Sequence, residues 1–269
     1  MRLTVRDLDV SIGERVLCRS LNLGLQNGES LAILGRNGAG KSTLLTTLAG
    51  LRPIQRGSID IDEVPLAEIQ PKLLAQLRGY CPQQQQDAFS ATVLEIALVG
   101  RHPHLGRWAW ESMRDVELAC DALDQVGMRS MANRDVHTLS GGERQRLALA
   151  ALLVQAPTLY LLDEPLAHLD LNHAIAVLDI FSRHVASGQQ ALVAVLHDPN
   201  LARRYFQRTL LLFDDGSWIE GNSAEVLTQD NLTRLYAHPL HCLQDGAQQW
   251  FVPQTDSQVA GDIQQSGVK

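Results

Sequence analysis

Hydrophobic positions fall along this chain in two alternating periods. Near the start, Leu3, Val5, Leu8 and Val10 stand among polar residues, a turn falls at Gly13-Glu14, and Val16-Leu17 to Leu25 resumes the pattern. That predicts antiparallel strands over residues 2 to 25. Ser30-Leu31-Ala32-Ile33-Leu34 is a short apolar run suited to a buried strand, and Ser42 to Ala49 carries a helical pattern that Leu51-Arg52-Pro53 ends. Gly57 to Asp62 alternates as a strand, and a short helix is expected from about Pro65 to Leu77, ahead of Gly79-Tyr80-Cys81-Pro82-Gln83. Between Ala88 and His137 the period is helical. Val93, Leu94, Ile96, Ala97 and Leu98 precede a basic loop, Arg101-His102-Pro103-His104, and Val116, Leu118, Ala119, Ala122, Leu123 and Val126 form one stripe over Asp115 to Val126. Strands and helices then alternate again: a helix over Gly141 to Val154, a buried strand over Thr158 to Leu162, a helix over Asn172 to Ala186 and a strand over Gln190 to Leu196. A hairpin follows, Arg208 to Phe213 and Ser217 to Ile219, about Asp214-Asp215-Gly216.

This order predicts an α/β fold with a mostly parallel sheet, an N-terminal antiparallel β subdomain, and an inserted helical subdomain at about 88–137. At 269 residues the chain is read as one elaborated domain over 1–252, with a polar Gln-, Ser- and Gly-rich tail at 253–269. The longest apolar run, Leu147 to Val154, is far short of the roughly 20 residues that span a bilayer. Charges in Met1-Arg2-Leu3-Thr4-Val5-Arg6-Asp7 occupy the place where a secretory signal needs an apolar block, so the chain is expected to stay in the cytosol. A formal net charge of −7 argues against a general nucleic-acid surface. Cys18, Cys81, Cys120 and Cys242 are scattered without a CxxC pair, which suggests reduced, structural thiols.

The candidate chemistry begins at Gly35-Arg36-Asn37-Gly38-Ala39-Gly40-Lys41-Ser42, a complete GxxxxGK[ST] string followed by Thr43. Its glycines let backbone amides converge on phosphate oxygens, Lys41 adds a cation, and Ser42 offers a hydroxyl to Mg²⁺. It lies between a buried strand and a helix whose N-terminal dipole faces the phosphates, the context the motif needs for a P-loop nucleotide-binding core. Farther on, the strand ending Leu161-Leu162 delivers Asp163 and Glu164 where ligands of parallel sheets collect. Asp163 is assigned to the metal and Glu164 to a water aimed at the γ-phosphate. A second anion site is expected at Ser140-Gly141-Gly142-Glu143, which opens a helix. The same residues read as a capping box, and both readings can hold together.

LSGGERQR before LYLLDEP, behind GRNGAGKST, resembles the ATP-binding cassette (ABC) family of transport ATPases over about residues 2 to 240. The resemblance implies ATP and Mg²⁺ as ligands and a head-to-tail homodimer, in which the phosphate loop of one copy faces Ser140, Gly141 and Gly142 of the other. It also implies that Gln83 belongs to the glutamine loop, joining Ser42 and Asp163 at the metal, with a register left open among Gln83 to Gln86. Asp170 matches the loop at the dimer interface, and His197 matches the switch histidine at the γ-phosphate. Two positions depart from the family pattern: Ile12 where an adenine-stacking aromatic is usual, and Leu166 where serine or threonine is common. The segments Val99 to Gly106 and Glu164 to Leu171 resemble the subfamily that imports iron-siderophore, haem or cobalamin. Its implied partners are integral membrane permease subunits and, indirectly, a periplasmic substrate-binding protein, with no nucleic acid. Its implied place is peripheral, on the cytoplasmic face of the inner membrane. An ABC export ATPase and a soluble non-transport ABC ATPase are the competing readings.

Overall fold

The computed structural model describes residues 1–83, 90–106, 108–246 and 248–254. Strands β1 (Arg2–Ile12) and β2 (Arg15–Gln26) form a long antiparallel pair, so that alternate residues such as Leu3, Val5, Leu21 and Leu25 are buried. The chain then crosses to β3 (Ser30–Gly35), turns through a loop into α1 (Lys41–Leu48), and returns as β4 (Arg56–Ile61) and β5 (Val64–Pro65). These last two complete an antiparallel sheet of order β2-β1-β4-β5. Helix α2 (Pro71–Leu77) leads into β6 (Arg78–Cys81), after which come α3 (Val93–Leu98), α4 (Met113–Gln125) and α5 (Gly141–Gln155). Next are β7 (Leu159–Asp163), α6 (Leu171–Ala186), β8 (Ala191–Val195), α7 (Pro199–Tyr205) and the hairpin β9 (Arg208–Leu212) with β10 (Trp218–Asn222). The short helix α8 (Ser223–Val226), then α9 (Gln229–Tyr236), and a second hairpin of β11 (Leu240–Asp245) and β12 (Gln248–Pro253) end the described chain.

The main sheet has the order β10-β9-β3-β8-β7-β6 and is parallel except where β10 returns beside β9. Both of its faces are covered, which is why β3, β7 and β8 read as unbroken apolar runs. The period of two sorts their side chains. Leu31, Ile33, Leu159, Leu161, Val193 and Val195 pack with α1 and the N-terminal sheet, while Ala32, Leu34, Tyr160, Leu162, Leu192 and Ala194 pack with the helices of the other face. The fold is therefore α/β, with a mostly parallel core and an antiparallel sheet at its N-terminal side. Among the described residues no helix is long and apolar enough to cross a membrane.

Three differences from the pattern-based expectations have local causes. The helix expected over Pro65 to Leu77 is broken into a 3-10 turn at Leu66–Glu68 and α2, because Ile69 and Gln70 stay extended ahead of Pro71. Arg78–Cys81, unassigned by pattern, is the edge strand β6 of the main sheet. No element was expected over 199–205 or 222–253, where α7, α8, α9 and the last hairpin lie. The first residues of the expected helical insert, with Gln84, Gln85 and Gln86, and tail residues 255–269 lie outside the described residues.

Helices α3, α4 and α5 pack on one another, and the basic loop, a 3-10 turn over Val99–His104, is pinned against α5. A Cβ at Gly100 would stand 2.1 Å from the Ala151 carbonyl oxygen, so only glycine permits this approach. Arg101 Nη1 donates to the Val154 carbonyl (3.3 Å), and Arg101 Nε donates to Asp115 Oδ1 (2.7 Å). Asp115 also closes a capping box with Ser112 at the start of α4. Buried Cys18 and Cys81 carry thiols raised to about 12, in both cases by burial first and then by a nearby carboxylate, Asp9 or Asp163.

Hydrogen bonds from the Ser112 hydroxyl and amide, followed by that from Arg101, hold the Asp115 carboxyl down at about 2. A carboxyl depressed on folding stabilises the native state above its unfolded pKa, near 4, and loses that contribution as the pH falls through the folded value. Asp115→Asn is expected to lower the guanidinium midpoint at pH 7. Its gap from the parent chain is expected to stay constant down to about pH 4 and to be about half closed by pH 3. Unfolding curves across this range check the sign, and a gap that widens on acidification would contradict it.

Candidate functional site

The carboxyl ends of the parallel strands gather one cleft of about 490 Å³, lined among others by Asn37, Gly38, Gly40, Lys41, Ser42, Thr43, Gln83, Glu164 and His197. β3 supplies its floor. After Gly35 the chain turns sharply, with Gly38 at φ 81° and Gly40 at φ 102°, conformations in which an L side chain is strained. A Cβ at Gly40 would also meet Leu17 Cβ at 2.7 Å, so glycine is needed there for space as well. Helix α1 starts directly on this turn and its N-terminus has no side-chain cap, which leaves its first amides to be satisfied by an anion. Lys41 is buried, and its Nζ donates to the carbonyls of Gly35 (2.9 Å) and Arg36 (3.0 Å). Burial lowers its pKa, against the opposing pull of Glu164, Asp163 and Asp214. On the rim, Arg36 pairs with Asp214 of the β9–β10 turn at 3.0 Å.

β7 ends in the two carboxylates. Asp163 is almost fully buried, and its Oδ1 accepts from Ser42 Oγ at 2.9 Å while its Oδ2 accepts from Tyr80 Oη at 3.4 Å. Burial raises its pKa, and the Ser42 hydrogen bond works against that rise. A hydroxyl and a carboxylate side by side are hard oxygen donors of the kind Mg²⁺ takes when phosphates and water complete its shell. Among the described residues no group of three or more His, Cys, Asp and Glu could hold a metal unaided. Glu164 turns at φ 50°, and this points its carboxylate into the cleft between two partners. Oε2 accepts from Gln83 Nε2 at 2.7 Å, and Oε1 lies 2.8 Å from His197 Nε2. A carboxylate held at both oxygens can orient a water and draw charge off it, and a half-exposed imidazole beside it can follow that charge.

The remaining expected site residues lie elsewhere. Ser140, Gly141, Gly142 and Glu143 open α5 and do not line this cleft. The capping box read from their spacing is present: Ser140 Oγ accepts from the Glu143 amide (3.3 Å), and Glu143 Oε2 accepts from the Ser140 amide (2.7 Å). That second bond is the first cause of a lowered Glu143 pKa. Gly142 is packed so closely that a Cβ would lie 2.8 Å from the His168 carbonyl oxygen, so this helix end rests on the segment leading to Asp170. Asp170, exposed, caps α6 through the His173 amide. Ile12 does line the cleft, half exposed, beside Arg15 and Leu17. Leu166 instead packs against the core. Arg15, which lines the cleft, and Tyr80, whose hydroxyl reaches Asp163, are residues that pattern reasoning missed. Their available signals were the place of Tyr80 just before Cys81-Pro82-Gln83, and the pairing of Arg15 opposite Ile12 across the first hairpin.

A glycine-bound loop between a buried strand and a helix, a buried lysine, and a Ser–Asp pair at the end of a neighbouring strand define a P-loop ATPase. Residues 18–167 match the family model described as ABC transporter, and the chain belongs to that family, as one of its ATP-binding, ATP-hydrolysing members. It is 38% identical over 271 residues to the hemin import ATP-binding protein HmuV of Burkholderia lata, covering 93% of this chain and 99% of that one. It is likewise 38% identical over 230 residues to the petrobactin import ATP-binding protein FpuD of Bacillus anthracis, covering 84% and 83%. Among solved structures, it superposes with a TM-score of 0.81 and 31% identity on a chain of a metal-chelate type ABC transporter in an inward-facing conformation, over 95% of this chain and 98% of that one.

Proposed function

We propose that this chain is the ATPase subunit of an importer of iron chelates, haem or a ferric siderophore, and that it works as a head-to-tail homodimer beneath separate membrane permease subunits. An iron chelate is favoured over cobalamin because the relatives named above import hemin and petrobactin. The same relatives favour import over export, with the chain held peripherally on the cytoplasmic face of the inner membrane and a periplasmic binding protein as the indirect partner. The observation that carries the dimer is the separation of the two anion-binding helix ends. The cleft holds the phosphate loop, Glu164 and His197, but not Ser140 to Glu143. A second copy related by a two-fold axis would bring that helix end over the cleft, completing two sites at once.

In this reading the amides from Gly38 to Thr43 and the Lys41 ammonium hold the β- and γ-phosphates. Ser42, Asp163 and Gln83 hold Mg²⁺, which screens phosphate charge when bound. Adenine rests on the aliphatic face of Ile12, with the Arg15 guanidinium available to stack where the family more often has an aromatic ring. Glu164 polarises the attacking water. His197, with Nε2 at 2.8 Å from the same carboxylate, lies where it can meet the γ-phosphate. Phosphate contacts from both copies close the dimer, and hydrolysis removes them and leaves like charges that drive it open. The helices between β6 and β7 carry that movement to the permease, near Gln83. Residues 1–252 are the working ATPase domain, with the helical insert at about 88–137 and the tail at 253–269.

Three outcomes test this reading. Glu164→Gln should bind ATP normally and lose steady-state hydrolysis by roughly 10²- to 10⁴-fold, the range of a general-base contribution. Wild-type turnover in the purified variant would sink the role assigned to Glu164. Ser140→Arg should abolish hydrolysis and ATP-dependent dimerisation on gel filtration while a labelled nucleotide still binds the monomer; a normal dimer would rule out the trans arrangement. In vesicles reconstituted with the cognate permease, ATP should drive uptake of haem or a ferric siderophore and leave cobalamin outside. Uptake of cobalamin alone would overturn the substrate class.

A further inference from the structure

His197 sits at an interruption of the backbone. β8 ends at Val195, and the next hydrogen bond of the ladder, Leu196 N to Ile33 O (3.1 Å), is the last on that side. α7 begins at Pro199, with Asp198 as its N-cap, and Pro199 has no amide to donate. The carbonyl of His197 thus falls between strand and helix, outside both ladders, and a backbone acceptor in such a place needs a partner from elsewhere. It finds one 39 positions along the chain: Tyr236 Oη donates to His197 O at 3.1 Å. Tyr236 is the last residue of α9, which is anchored by buried Leu232 and Leu235. Burial, and then the Asp198 carboxylate, raise its hydroxyl to about 12, so it remains a donor at any working pH. The same short segment is braced a second time. The Asn200 side chain bonds both ways to the Phe251 backbone of β12, giving Nδ2–H to its carbonyl (3.2 Å) and accepting from its amide (2.8 Å). The C-terminal α9–β11–β12 unit therefore grips the chain on both sides of Asp198, directly behind the imidazole that meets Glu164.

We infer that Tyr236 is a positioning residue for His197: by holding its carbonyl from behind, the tyrosine hydroxyl sets the imidazole against Glu164 in the geometry hydrolysis requires. This rests on the reading of Glu164 and His197 as the hydrolytic pair. Tyr236 does not line the cleft; its hydroxyl removes freedom from a residue whose own ring is half exposed and tethered on the cleft side by one carboxylate contact. Tyr236→Phe keeps the ring in its packing and deletes only the hydrogen bond.

The test is ATPase kinetics of the full chain with Tyr236→Phe, His197→Ala and the double variant, alongside Thr233→Val. Thr233 lies on the same helix, where its hydroxyl accepts from the Leu240 amide (3.3 Å) away from His197. Tyr236→Phe should lower kcat roughly fivefold to tenfold, the worth of one positioning hydrogen bond, with KM for ATP and the thermal midpoint nearly unchanged. Thr233→Val should leave kcat as it is. On the His197→Ala background Tyr236→Phe should cost nothing further, because the residue it positions is gone. A purely structural role would instead lower the melting temperature and add its loss on either background, and that additivity would overturn the inference. So would an unchanged kcat in Tyr236→Phe while His197→Ala is impaired, an outcome that leaves the reading of the pair intact. Full turnover in His197→Ala would remove that reading, and the inference with it.

Discussion

The parallel register of the main sheet is the constraint on which the site depends. β3, β6, β7 and β8 run the same way, and their pairings set Cys81 opposite Leu162 and Asp163 opposite Val195, with Ile33 opposite the same Val195. Each strand therefore expires at the same edge. The loop after β3 brings Lys41 and Ser42, the one after β6 brings Gln83, β7 ends in Asp163 with Glu164 behind it, and β8 hands on to His197. No residue in the cleft has to reach for another; backbone hydrogen bonds far below have already set the heights. A slip of one residue in β7 would turn Asp163 away from Ser42 and bury a different side chain on each face.

Given that scaffold, burial does the electrostatic work. Lys41 and Asp163 sit in the least hydrated part of the cleft, where burial shifts each toward its neutral form. Their mutual attraction, the Ser42 hydroxyl and two backbone carbonyls offset that cost, so the cleft holds opposite charges close together in little water. A polyphosphate with its cation fits such a place because it brings charges of both signs at once. Glu164 stands nearer the surface, between the Gln83 amide and the His197 imidazole. The two neighbouring carboxylates thus stand in different surroundings, one deeply buried against Ser42 and one nearer the surface.

Much of this was legible before any coordinates, for physical reasons that differ from part to part. Strands buried on both faces write themselves as apolar runs, so β3, β7 and β8 were visible with the loops that follow them. The Ser140–Glu143 capping box was readable because both partners lie within one turn. The edge strand Arg78–Cys81 escaped, because four residues containing glycine show no alternation. Helix α7 escaped because Asp198-Pro199, its cap and first residue, also spells a turn, and Pro65 and Pro71 were too weak a sign to divide one expected helix. Contacts across long stretches of chain, such as Tyr80 to Asp163, Gln83 to Glu164 and Tyr236 to His197, leave no periodic trace at all. They exist only once the sheet has closed.

The two deeply buried thiols give the molecule a property that neither its fold nor its turnover required. Only a thiolate reacts readily with peroxide, and burial, which pushes the thiols of Cys18 and Cys81 up to about 12, holds both in the protonated form at neutral pH. Both lie in strands that lead to the cleft, one beside Leu17 and the other two residues before Gln83. Sulfenic acid formed at either would put a polar, bulkier group against the packing that supports the site. Burial thus keeps both sulfurs in the form that oxidants scarcely attack.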